Sequence, residues 1–125
     1  MDRHARTIPT AMTQAPIDLS HLARYTGGEK ALNAEILKLF DGQITEMVGQ
    51  LHTVLRARDA KRWREITHTI KGAARGVGAF AMGEAAAAAE PVDPLTGGDK
   101  AEDAVRRLQQ EGHAVQLFIA EYLAA

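Results

Sequence analysis

No cysteine occurs among the 125 residues, which excludes disulfides, thiol nucleophiles and thiolate-bound metal. Aromatic residues are scarce, with one tryptophan, two tyrosines and three phenylalanines, and there are only four prolines. β-Branched residues are sparse beside abundant alanine, a balance that favours helix. Neither sign of charge dominates: 15 Lys and Arg stand against 16 Asp and Glu, a formal charge of −1. That balance gives no reason to expect a nucleic acid or a membrane surface as partner. Long hydrophobic runs are missing as well. The most apolar stretch, Ala79 to Ala89, is interrupted by Gly83 and Glu84 and is too short to span a bilayer. No apolar signal-peptide core stands near the N-terminus, so the expected location is the cytoplasm. The length fits one domain with a single core.

What is present is helical periodicity. Residues 1–16 carry mixed charge, two prolines and no period, and are expected to form a flexible tail ahead of a domain over 17–125. Asp18 is placed to cap a short helix with Leu19, Leu22 and Tyr25 on its buried side. Thr26-Gly27-Gly28-Glu29 breaks that helix and offers a capping box for the next. From about Glu29 to Arg58, Leu32, Ile36, Phe40, Ile44, Met47, Leu51 and Val54 form one long apolar stripe, as in a bundle. Gly42 and Gly49 weaken this helix without an evident reason. Asp59 caps a third helix, which Gly76 or Gly78 ends. A fourth, from about Phe80 to Glu90, is rich in alanine and stops at Pro91. A turn-rich loop follows, and Asp99 with Glu102 opens a fifth helix with Val105, Leu108, Val115, Phe118 and Tyr122 inward. The expected fold is all-α, an antiparallel four-helix bundle with a short additional N-terminal helix.

The stretch Trp63 to Ala79 carries the chemistry. Trp63, Ile66, Ile70, Ala73 and Val77 recur at three- and four-residue steps as one apolar stripe. Lys61, Arg64, Glu65, His68, Lys71, Gly72 and Arg75 fall opposite, so His68 should face solvent. Lys71, Gly72 and Arg75 follow His68 by three, four and seven residues and line up with it on consecutive turns. Two cations beside an exposed imidazole disfavour its charged form and leave a neutral, nucleophilic ring near pH 7. The same cations can stabilise a phosphoryl group on that ring through charge-assisted hydrogen bonds. Gly72 costs about 1 kcal/mol against alanine inside a helix, a cost that makes sense if a large partner must approach the imidazole closely.

Other chemistries lack support. A phosphate-cradling loop at Gly72, Gly76 and Gly78 would need a strand before it and Gly-Lys-Ser/Thr after it, and neither is present. His4, His21, His52, His68 and His113 are scattered over separate segments without a metal-ligand motif. Thr67 and Thr69 flank His68 but point to other sides of the helix, so no catalytic triad forms.

His68-Thr69-Ile70-Lys71-Gly72 followed by Gly78 resembles the H-x-x-K-G-x(5)-G signature of histidine phosphotransfer (HPt) domains. Trp63 ahead of it and Ala89-Glu90 after it also look like flanking positions of that family. The alanines of the fourth helix depart from it, since larger apolar residues are common there. The resemblance implies a phosphocarrier without its own ATP site or kinase activity, relaying a phosphoryl group between aspartates of receiver domains. One receiver would belong to a hybrid histidine kinase and the other to a response regulator. In that reading His68 is the phosphoryl acceptor and donor, most naturally at its outward Nε2. Lys71 and Arg75 hold phosphate charge, while Gly72, Arg64, Gly78 and Ala79 serve partner access and docking. No metal or cofactor is expected on this chain, magnesium belonging to the receiver, and the protein is expected to be a monomer. Two alternatives remain at this point: a helical-bundle binding module without chemistry, and the phosphorylated-histidine domain of a chemotaxis-type kinase. An exposed histidine, its cations and Gly72 would be coincidences in the first.

Overall fold

Asp18 opens the first helix as its sequence position suggests, its carboxylate accepting the backbone N–H groups of Ser20 and His21 at 3.0 and 3.3 Å. The computed structural model describes residues 15–125; the expected N-terminal tail lies, up to Gln14, outside the described residues. Among the described residues five helices follow one another: α1 Leu19–Thr26, α2 Lys30–Ala57, α3 Ala60–Val77, α4 Phe80–Ala89 and α5 Asp99–Ala124. The described residues contain no strand. Asp59 caps α3 by accepting the N–H of Arg62 at 3.0 Å. Gly78, not Gly76, ends α3, in the left-handed conformation at φ 94° that glycine adopts without a Cβ penalty. Helix α4 starts only two residues later, so α3 and α4 form a tight helical hairpin.

Helix α2 packs on α3 and α5, and α4 packs on the same two, which closes a four-helix ring. Helix α1 lies against α2 and α3. The interior holds Leu37, Ile44 and Leu51 from α2, Trp63, Ile66 and Ile70 from α3, Met82 from α4, and Leu108 and Ile119 from α5. Each such side chain contributes about 1.5–3 kcal/mol of burial. The alanines Ala85, Ala86 and Ala89 are fully buried; each adds little area but lets α4 approach its neighbours closely. Gly112 of α5 serves the same end, since a Cβ there would touch Met82, Ile44 and Val48.

The inward faces differ from the expected stripes in detail. Tyr25, expected inside, is 66% exposed, and Thr26 is buried in its place. The Thr26–Glu29 capping box does not form, because Glu29 makes no side-chain cap bond. Instead the Thr26 hydroxyl donates to Asn33 Oδ1 at 2.6 Å, and Asn33 Nδ2 donates to the Tyr122 hydroxyl at 3.1 Å. This buried polar chain draws the Asn33 side of α2 inward, so Leu37 is enclosed whereas Leu32 lies exposed. On α3, Thr67 and Ala74 are fully buried, and Ala73 and Val77 sit at the margin of the core. On α5, Ala101 and Ile119 join the expected Val105, Leu108 and Val115, while Phe118 and Tyr122 are half-buried. Gly42 and Gly49 are exposed with open space around them, and nothing in the structure requires glycine there.

Candidate functional site

The hairpin of α3 and α4 brings residues 22 positions apart into one polar cluster. Helix α3 turns its apolar side to the core through Trp63, Ile66 and Ile70, and therefore presents His68 outward. The His68 side chain is 68% exposed. Its Nδ1 lies 3.0 Å from Glu90 Oε2, and the other carboxylate oxygen of Glu90 accepts from Lys71 Nζ at 2.7 Å. Glu90 therefore bridges the imidazole and the ammonium from the far end of α4.

The electrostatics follow from that bridge. The Lys71 hydrogen bond, opposed in part by desolvation and helped by the bond to His68, holds the Glu90 carboxyl below its ordinary value of 4.5. Near neutral pH Glu90 is thus ionised and can only accept hydrogen bonds. The ring nitrogen facing it must carry the proton. In the neutral imidazole this leaves the lone pair on Nε2, which has no hydrogen-bond partner among the described residues.

Of the two cations expected on the His68 face, Lys71 is engaged by Glu90. Arg75 makes no ion pair among the described residues, and its stem lies on α4, where a Cβ on Gly83 would meet Arg75 Cγ at 3.1 Å. Gly72 is exposed, and a Cβ added to it would meet nothing within 4 Å; Gly76 is equally open. Arg64 is exposed on α3. Gly78 and Ala79, expected on the docking surface, are instead buried. The Gly78 carbonyl accepts the Asp18 N–H at 2.9 Å, and a Cβ on Gly78 would approach Asp18 O to 2.7 Å. These two residues shape the hairpin from inside and cannot touch a partner. Among the described residues no three His, Asp or Glu side chains come together to hold a metal ion.

Glu90 is the member of this polar cluster that residue spacing alone did not single out. The signal was present, because a glycine-ended α3 followed at once by α4 forces an antiparallel pair. Glu90 lies twelve residues beyond Gly78 and His68 ten before it, so counting from the turn brings the two nearly level along the hairpin. The way Glu90 faces is set by the packing of α4 on α3.

The Hpt domain family model matches residues 35–123, well over half of the chain. The chain belongs to the Hpt domain family. No curated protein and no solved structure matches it. Hpt domains are histidine phosphotransfer modules that work with receiver domains in phosphorelays. The match begins inside α2, so α1 and its contact to Gly78 are additions to the matched part of this Hpt chain.

Proposed function

We propose that this Hpt protein carries a phosphoryl group on His68 Nε2 between the aspartates of two receiver domains. One receiver belongs to a hybrid histidine kinase and the other to a response regulator. The observation that supports this reading most is the Glu90 carboxylate 3.0 Å from His68 Nδ1. With the proton held on Nδ1, the Nε2 lone pair is free to attack phosphorus. The N–P bond forms as the P–O bond to the receiver aspartate breaks, and that carboxylate leaves with the electron pair. No proton has to depart from the attacking nitrogen. The ring becomes positive on transfer, and the adjacent Glu90 carboxylate offsets that charge. Lys71 and Arg75 then hold the phosphoryl oxygens, Lys71 being shared with Glu90 before transfer. Gly72 and Arg64 meet the receiver surface.

The chain acts as a carrier and not as a kinase, and it works as a monomer. Magnesium is supplied by the acidic site of the receiver. No helix among the described residues is long and apolar enough to cross a membrane, and the proposed location is the cytoplasm. The test is intact mass after incubation with a phosphorylated receiver. Wild type should gain one acid-labile phosphoryl group, and His68→Gln should gain none. Equal incorporation in the variant overturns the assignment.

A further inference from the structure

The Glu90 carboxylate has to be held in place by something, because α4 ends where it stands. Helix α4 stops at Ala89, and Pro91 follows Glu90 directly. A proline biases the residue before it toward extended backbone. Glu90 is nevertheless helical, at φ −55° and ψ −46°. Its own helix holds it by one bond, from the Glu90 N–H to the Ala86 carbonyl at 2.9 Å, and a contact from outside α4 can add to that hold.

One tertiary contact is placed to do so. The indole N–H of Trp63 donates to the carbonyl of Ala89 at 2.9 Å, one residue before Glu90. The same carbonyl accepts from Val92 N–H at 3.0 Å, beyond the proline. Trp63 is completely buried and lies in the first turn of α3. The Thr67 hydroxyl, also buried, bonds back to the Trp63 carbonyl at 2.9 Å, which ties the indole anchor to the turn just before His68. One helix thus carries both the histidine and the donor that fixes the end of the helix bearing its carboxylate.

We propose that Trp63 is a positioning residue for the site: its indole N–H locks the C-terminal end of α4 so that Glu90 reaches His68 Nδ1 and sets the imidazole tautomer. This rests on the reading of His68 as the phosphoryl carrier, but the tautomer is measurable whether or not that reading holds. Core packing by the indole ring is a separate contribution. The N–H can be removed while the ring stays.

The chain has a single tryptophan, so biosynthetic replacement of tryptophan by its benzothiophene analogue alters position 63 alone. The analogue keeps the ring shape and lacks the N–H. In 15N-labelled protein, long-range proton–nitrogen spectra report which ring nitrogen of His68 is protonated, with His68→Gln assigning the signals. Unmodified protein should show the proton on Nδ1, and Glu90→Ala should lose that preference. The analogue protein should lose it as well and transfer phosphoryl about fivefold more slowly, the loss of one hydrogen bond's influence. Trp63→Phe should behave in the same direction, with an added loss of stability from the smaller ring. A folded analogue protein with His68 still protonated on Nδ1 overturns the proposal. Failure of the unmodified protein to accept phosphoryl, with the analogue's tautomer shifted as stated, would overturn only the carrier reading.

Discussion

Replacing Gly72 separates the stability of α3 from the access it gives. In the interior of a helix, alanine is favoured over glycine by about 0.5–1 kcal/mol. At Gly72 nothing opposes that gain, because an added Cβ meets no atom within 4 Å. Gly72→Ala should therefore raise the melting temperature by about 3 °C for a domain of this size. Leucine is almost as good a helix former and should keep most of that gain. Gly76 supplies an internal control, since it lies on the same helix with the same open surroundings. At a rise of 1.5 Å per residue, position 72 stands about 6 Å along the axis from His68 and position 76 about 12 Å. A receiver burying about 800 Å² of this surface, centred on His68, would reach roughly 16 Å from that centre. Position 72 then falls in the tightly packed middle and position 76 near the rim, where substitutions cost little. Gly72→Leu should slow transfer from a phospho-receiver by at least about tenfold, or about 1.4 kcal/mol, and Gly76→Leu by no more than about twofold. Thermal melts and rapid-quench transfer measure the two effects on the same samples. Wild-type transfer by Gly72→Leu, with its raised stability confirmed, refutes the access argument.

Three further outcomes are expected. Gly78→Ala should destabilise the fold by about 2–4 kcal/mol, from forcing a Cβ into the left-handed region and losing the Asp18 contact; a denaturation midpoint equal to wild type would contradict the packing of α1. Lys71→Ala and Arg75→Ala should each slow transfer, by about tenfold and about threefold respectively, as single-turnover assays would reveal; a larger effect at Arg75 would reverse the order given to the two cations. The Glu90 carboxyl is held below its ordinary value of 4.5, chiefly by Lys71, so its stabilising contribution is complete above that value. It is lost as pH falls through the depressed folded value, and urea titrations from pH 6 downward should show a weaker acid dependence in Glu90→Gln than in wild type.

The broad architecture was readable because helix boundaries carry chemical marks. Asp18 and Asp59 each place a short acceptor before an apolar stripe, and both cap as expected. Trp63, Ile66 and Ile70 define an unambiguous inner face on α3, and the outward position of His68 follows from it. The start of α2 was less legible. Its inward rotation depends on a hydrogen-bond chain from Thr26 through Asn33 to Tyr122, which joins three helices and leaves no local trace. The side chains of α4 gave little indication of orientation, because a row of alanines has no apolar stripe to read. For the same reason the Glu90 bridge had to await the packing of α4 on α3. Tyr25 illustrates the limit from the other side: periodicity put it inward, but a helix of 8 residues encloses only Leu22 and Thr26, and leaves Tyr25 at the edge of the His21 ring.

The alanine run of α4 has a consequence for which changes the gene can tolerate. A surface of methyl groups has few ridges to engage a facing helix, so little along its middle resists sliding. Alignment is set at the two ends, by the hairpin turn at Gly78 and by the tryptophan bond at Ala89. Deleting or inserting one alanine between them would rotate everything beyond it by about 100° and shift it by about 1.5 Å, carrying Glu90 off the histidine. Exchanging one of the outward alanines, such as Ala88, for another good helix former would do neither. On its outward side the reading frame of this helix in space is therefore kept by how many residues it has and only weakly by which ones they are, while the fully buried Ala85, Ala86 and Ala89 must also stay small.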